Sequence, residues 1–153
     1  MNISLEMIKK LRAETLAGVS DCRMALEDAG GDFAKAKKLL AEHGLEKAAK
    51  KANKETSQGL IESYIHAGDR IGVLLELRCE TDFVARNAEF KNLAHELVMQ
   101  IAAMNPKNIA ELSTSGYIRD TSQTIDSLIK QTIAKVGENI IIHRFIRYEL
   151  GES

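Results

Sequence analysis

Cysteine is nearly missing from this chain. Only Cys22 and Cys79 occur, too few for a disulfide framework, and neither sits in a CxxC pair or beside a histidine that would complete a metal-ligand set. Proline occurs once and tryptophan not at all, while hydrophobic residues make up 44% and charged residues 28%; this composition suits a mostly helical globular chain. Neither sign of charge dominates, with 21 Lys plus Arg against 22 Asp plus Glu. Nucleic-acid binders usually carry a clear basic excess, so direct binding of nucleic acid is not expected. No apolar run approaches the ~20 residues of a membrane span, and no membrane partner is expected. The opening residues Met1-Asn2-Ile3-Ser4-Leu5-Glu6 lack the basic region and apolar core of a signal peptide. The expectation is a cytosolic chain holding one ordinary domain, or a very small module plus a compact one.

Periodicity divides the chain. In residues 1–45, Leu5, Ile8 and Leu11 recur at helical spacing behind Ser4, a candidate N-cap. A turn at Ala17-Gly18 precedes a second helix with Ser20 as its expected cap, which stops at Gly30-Gly31. Asp32 caps a third helix, with Phe33, Ala36, Leu39 and Leu40 on one stripe, expected to end at Gly44. Three short helices make a marginal core that needs support from packing or from a partner. Residues 46–58 carry Lys47, Lys50, Lys51 and Lys54 among alanines and read as a basic, helix-prone linker, solvated rather than phosphate-binding.

From Gly59 the period becomes two. Leu60 to His66 and Ile71 to Glu80 alternate around the turn Ala67-Gly68-Asp69-Arg70, the pattern of a β-hairpin whose second strand has a wholly apolar face. Two amphipathic helices are available to cover it. One runs from about Asn87 to Met104 and stops at Asn105-Pro106; the other carries Ile125, Leu128, Ile129, Ile133 and Val136 to Gly137, with Asp120 and Gln123 resembling a capping box at its start. Asn139 to Leu150 reads as a third strand, which the hairpin needs for stability. The predicted fold is α+β: a three-helix bundle, then a core over residues 59–150 with a three-stranded antiparallel sheet covered by helices on one face (ββααβ), and a tail at 151–153.

Enzyme signatures are missing. Gly30-Gly31 separates two helices and lacks the Lys-Ser/Thr that follows a phosphate loop. His43, His66, His95 and His143 are scattered without a second ligand three or four residues away. Cys79 falls on the apolar face of its strand, and both thiols read as buried and inert. Glu76, Glu80 and Asp82 lie close in sequence, but no pocket signal accompanies them to suggest acid–base work. No catalytic residue, metal or cofactor is expected.

One segment stands out: Cys79-Glu80-Thr81-Asp82-Phe83-Val84-Ala85-Arg86-Asn87, between the end of a strand and the start of the long helix. Thr81 can cap a short turn with Asp82 at its N-terminal end. Phe83 is then either a core plug, with Asp82 a dipole partner, or an aromatic anchor beside a carboxylate, as a protein-binding tip requires. Leu77 to Asn87 closely resembles the signature of the translation elongation factor Ts family. Leu11 to Leu26 is similar to that family's ubiquitin-associated-like N-terminal domain. Tyr64-Ile65-His66 with Arg70 to Leu74 resembles its core hairpin, and Ala134 to Ile140 with Arg144-Phe145 resembles its last helix and strand. The chain departs from the family at Leu16, where glycine is usual, and at Val19-Ser20, where two methionines are common.

The resemblance implies a guanine-nucleotide exchange factor, not an enzyme, that binds elongation factor Tu in its GDP-bound and nucleotide-free forms. It assigns Thr81, Asp82, Phe83 and Val84 to the contact that dislocates Mg²⁺ from that partner, and Gly18, Val19 and Ser20 to a second contact. Long members carry a duplicated core and a helical hairpin insertion, neither of which is present here. Short members resemble half of that core, which makes a homodimer supplying the other half an expectation. The rival reading is a non-exchanging scaffold, in which the bundle recognises ubiquitin-like or helical partners.

Overall fold

The computed structural model describes residues 2–152. Helices α1 (Leu5–Thr15), α2 (Val19–Asp28) and α3 (Phe33–Lys51) form the bundle. Its small core gathers Ile8, Leu11, Cys22, Ala25, Leu26, Ala29, Ala36 and Leu40. Ser4 caps α1 by accepting from the Met7 amide, and Asp32 caps α3 by accepting from that of Lys35, as their spacing predicts. The cap of α2 is Gly18, not Ser20, and it makes no side-chain bond. Ser20 lies one residue inside the helix, because the chain turns helical directly after the Leu16–Gly18 turn.

The third helix does not stop at Gly44. It continues through residues predicted as a linker and ends at Lys51. Gly44 serves close approach: a Cβ there would stand 3.2 Å from that of Ala134. Ala134 lies on α7 (Ile125–Val136), and α3 packs along α7. Ala48, a turn further along α3, is buried in the core of the second unit. Lys47 pairs with Asp21 at 2.9 Å and Lys51 donates to the Gly137 carbonyl at 2.5 Å. Two of the four lysines thus tie the chain to itself.

The sheet contains β1 (Gln58–Ile65), β2 (Ile71–Cys79) and β5 (Ile140–Glu149), antiparallel in the order β1-β2-β5. The first hairpin closes where the His66 amide donates to Ile71 O, with Gly68 and Asp69 at positive φ. On the inner face Val73, Leu75, Leu77 and Cys79 are buried beneath α5 (Ala88–Met104), from which Phe90, Leu93, Leu97 and Ile101 descend. Each such large side chain contributes roughly 1.5–3 kcal/mol on burial. The outer face stays open, and Ile61, Ile65, Leu74, Ile146 and Tyr148 stand exposed on it.

Between α5 and α7 the sequence pattern predicts no helix or strand. The structure places α6 (Ile109–Thr114) and a small hairpin of β3 (Gly116–Tyr117) and β4 (Asp120–Thr124) there. Buried Gln100 holds the hairpin by donating to Gly116 O at 2.9 Å and accepting from the Ile118 amide at 2.9 Å. Asp120 bonds Ser122 and Gln123 within the hairpin, and Thr124 is the cap of α7. The capping box predicted at Asp120 therefore lies one element too early.

Gly59 pairs opposite Arg78 with φ 151°, and a Cβ there would lie 2.0 Å from the Leu77 carbonyl oxygen. No flexible side chain can yield to relieve that clash. Gly59→Ala should cost at least about 2 kcal/mol in urea unfolding, whereas Gly68→Ala, with nothing within 4 Å of the new methyl, should pay only the smaller cost of its positive φ.

Candidate partner-binding site

β2 ends at Cys79, and the chain leaves the sheet through Glu80 into a single helical turn, α4 (Asp82–Ala85). Thr81 caps that turn, its hydroxyl accepting from the Val84 amide at 3.3 Å. Val84 and Ala85 point inward and are 4% and 8% exposed. They anchor the turn, so Val84, predicted among the contact residues, is instead a buried plug beneath the tip. Phe83 points the other way and is 76% exposed, against 0% for Phe90. Of the two readings left open for Phe83, the core plug is excluded by its position.

Asp82 lies beside Phe83 and pairs with Arg86 Nη2 at 2.6 Å, four residues on. Both partners are largely exposed, and such a pair contributes roughly 0.3–0.5 kcal/mol. An incoming group can exchange it at little cost. The tip thus offers an aromatic ring and a carboxylate with a replaceable partner.

The scaffold below the tip is firmly held. The Cys79 thiol donates to the Thr81 carbonyl at 3.1 Å. Glu138 accepts from the Thr81 amide at 2.9 Å and from its hydroxyl at 2.7 Å. Sequence reasoning gave Glu138 no role, since it stands 57 residues away in the chain. The signal that locates it is strand register: β2 pairs with β5 up to Cys79 opposite Ile140, so Thr81 and Glu138 lie two residues beyond on facing chains.

The second predicted contact lies on the bundle. Gly18 and Ser20 are exposed and Val19 is 50% exposed. Leu16, at the end of α1, adopts left-handed backbone with φ 56° and is also exposed. That conformation favours glycine, so Leu16 holds a backbone geometry that costs a side-chain-bearing residue. Beside this turn runs a groove of about 320 Å³ that reaches Gln131 and Ala134 on α7. Among the described residues, no group of three or more His, Cys, Asp or Glu side chains could hold a metal ion, and no helix is long and apolar enough to cross a membrane.

A profile of the family described as Elongation factor TS matches residues 80–153, beginning at the tip and running through β5. An elongation factor Ts from Thermoanaerobacter sp. (strain X514) is 42% identical over 196 residues, covering 99% of this chain and 96% of its own length. Those from Coprothermobacter proteolyticus and Thermotoga petrophila are 41% and 42% identical, each over at least 99% of this chain and 98% of their own. The chain belongs to the elongation factor Ts family. The matched span of 196 residues exceeds the 153 present here, so these elongation factor Ts relatives carry positions that this chain lacks.

Burial pushes the Cys79 thiol from 9.0 up to about 11, with the Glu138 carboxylate adding to the effect. The folded chain then holds a proton that the unfolded chain releases, so stability is complete below about pH 9 and declines as pH rises toward about 11. Tyr117, buried and donating to Glu96, is pushed to about 12 and acts in the same direction. Urea midpoints should fall across that window, and a C79A chain should show a shallower fall.

Proposed function

We propose that this chain is a guanine-nucleotide exchange factor of translation elongation, acting on elongation factor Tu bound to GDP. The observation that carries the reading is Phe83: a largely exposed aromatic ring on a turn anchored from below and flanked by Asp82. In the proposed complex Phe83 wedges between two helices of the partner's nucleotide domain while Asp82 exchanges Arg86 for polar groups there. Octahedral Mg²⁺ tolerates little displacement of its ligands, so a modest push weakens its hold and shifts the backbone amides that cradle the phosphates. Coupling is reciprocal: a factor that weakens GDP is weakened equally by GDP. Rebinding of GTP then expels it. The process makes and breaks no covalent bond, and needs no cofactor on this chain.

The bundle supplies a second grip through Gly18, Val19 and Ser20, with exposed Leu16 and Val19 as its apolar contacts; two linked contacts add affinity beyond either alone. Phe83→Ala should slow accelerated GDP release by about thirty-fold, the scale of a truncated interface anchor. Its folding stability should change by no more than about 0.5 kcal/mol, as an exposed side chain warrants. Stopped-flow release of a fluorescent GDP measures the first and urea unfolding the second. Wild-type release in this variant would retire the wedge. Recovery of nucleotide-free elongation factor Tu in a pull-down, dispersed by excess GDP, separates exchange from passive scaffolding.

The open sheet face supports a homodimer as part of the same proposal. Leu74 pairs with Ser63 and Ile146, and Glu76 with Ile61 and Arg144, so apolar groups surround a centre carrying both charges. Arg78 holds the Glu76 carboxyl below its usual range, and Arg144 contacts its other oxygen. A face with both signs at its centre can meet its own copy about a two-fold axis. Sedimentation should give a dimer for the wild type and a monomer for Leu74→Glu; a monomeric wild type would remove this element and leave the exchange reading intact.

A further inference from the structure

The three polar groups of Thr81 are all engaged. Its carbonyl accepts from the Cys79 thiol and, at 3.2 Å, from the Ala85 amide. Its amide and hydroxyl both donate to Glu138, one to each carboxylate oxygen. With its proton committed to Glu138, the hydroxyl keeps a lone pair aimed at the Val84 amide. A chain of bonds therefore runs from the carboxylate through the hydroxyl to the first turn of α4. Bonds to an ionised acceptor are the strong ones, and each polarises the next.

Glu138 is itself fixed from both sides. Gly137 ends α7 in left-handed conformation at φ 78°, and its carbonyl accepts from Lys51 at the end of α3. Asn139, 4% exposed, donates to the carbonyls of Ala52 and Lys54. Ile140 then enters the sheet opposite Cys79. The turn Gly137-Glu138-Asn139 thus joins the bundle's last helix, the chain leading into β1, and the tip.

We infer that Glu138 is a positioning residue for exchange: by holding Thr81 in one geometry it sets the direction in which Phe83 and Asp82 are presented. This rests on the exchange reading above, and it concerns a residue bonded to the cap of the tip and not part of the tip itself. Loss of the clamp leaves Phe83 exposed but lets α4 fray and swing. Binding would then persist while the push on the nucleotide site weakens, because only a correctly aimed group contributes at the transition state.

The test compares Glu138→Ala, Glu138→Gln, Thr81→Val and Thr81→Ser in the full chain. At saturating factor, Glu138→Ala should lower the maximal rate of GDP release at least about tenfold, with a much smaller change in the half-saturating concentration. Glu138→Gln, which keeps acceptor capacity at one oxygen, should fall between. Thr81→Ser retains both donors and should leave the Val84 and Ala85 amides as protected as in the wild type, whereas Thr81→Val should resemble Glu138→Gln. Combined with Thr81→Val, Glu138→Ala should cost less than the product of the single effects. In the isolated chain, hydrogen exchange at the Val84 and Ala85 amides should quicken at least about tenfold in Glu138→Ala, with the α5 amides unchanged. Unchanged exchange at Val84 overturns the assignment, and so does an undiminished maximal rate in Glu138→Ala. Should the wild type fail to accelerate release, the exchange reading falls, and the amide measurement still decides whether Glu138 holds the tip.

Discussion

Everything in the second unit hangs on β2. It is the middle strand, paired with β1 on one side and β5 on the other, and its inner face carries Val73, Leu75, Leu77 and Cys79 into the core. A strand with both edges satisfied and one face wholly apolar has few alternative registers, since a slip of one residue would turn those four side chains to water. This constraint also determines where the chain leaves the sheet. The tip begins two residues after Cys79, so the position of Phe83 is set by the same ladder that sets the core.

The bundle depends on the second unit in turn. Its own core holds mostly small residues around Leu11, Leu26 and Leu40, and a cluster of this size supplies little stability alone. Support comes from α3, which outlasts the bundle and buries Ala48 beneath α7. Gly44 and Ala134 allow the two helices to approach closely. The second unit also gains, since Lys51 bonds the turn from which Glu138 reaches the tip.

Much of this was legible in the sequence. The alternation after Gly59, the apolar face of β2, the stripe of α5 and the caps at Ser4, Asp32 and Thr81 follow from spacing and side-chain chemistry. The failures share a cause. Glycine marks both helix ends and close contacts, so Gly44 read as a stop when its partner, Ala134, lay far off in the sequence. The hairpin β3–β4 escaped because Asp120–Thr124 has no apolar alternation, being held by Gln100 from another element. Whether Phe83 faced in or out could not follow from a local pattern, because one helical turn shows no period. Glu138 lay beyond any local pattern, because its meeting with Thr81 is a product of register across two strands.

The unbroken course of α3 bears on recognition. Because the helix extends from the small bundle into contact with α7, the Val19 surface and the Phe83 surface stand at a set separation. In the proposed complex the chain works as a caliper with locked jaws. A target whose two docking points match that gauge gains from both at once, while one with a different span can engage a single jaw and must forgo the other.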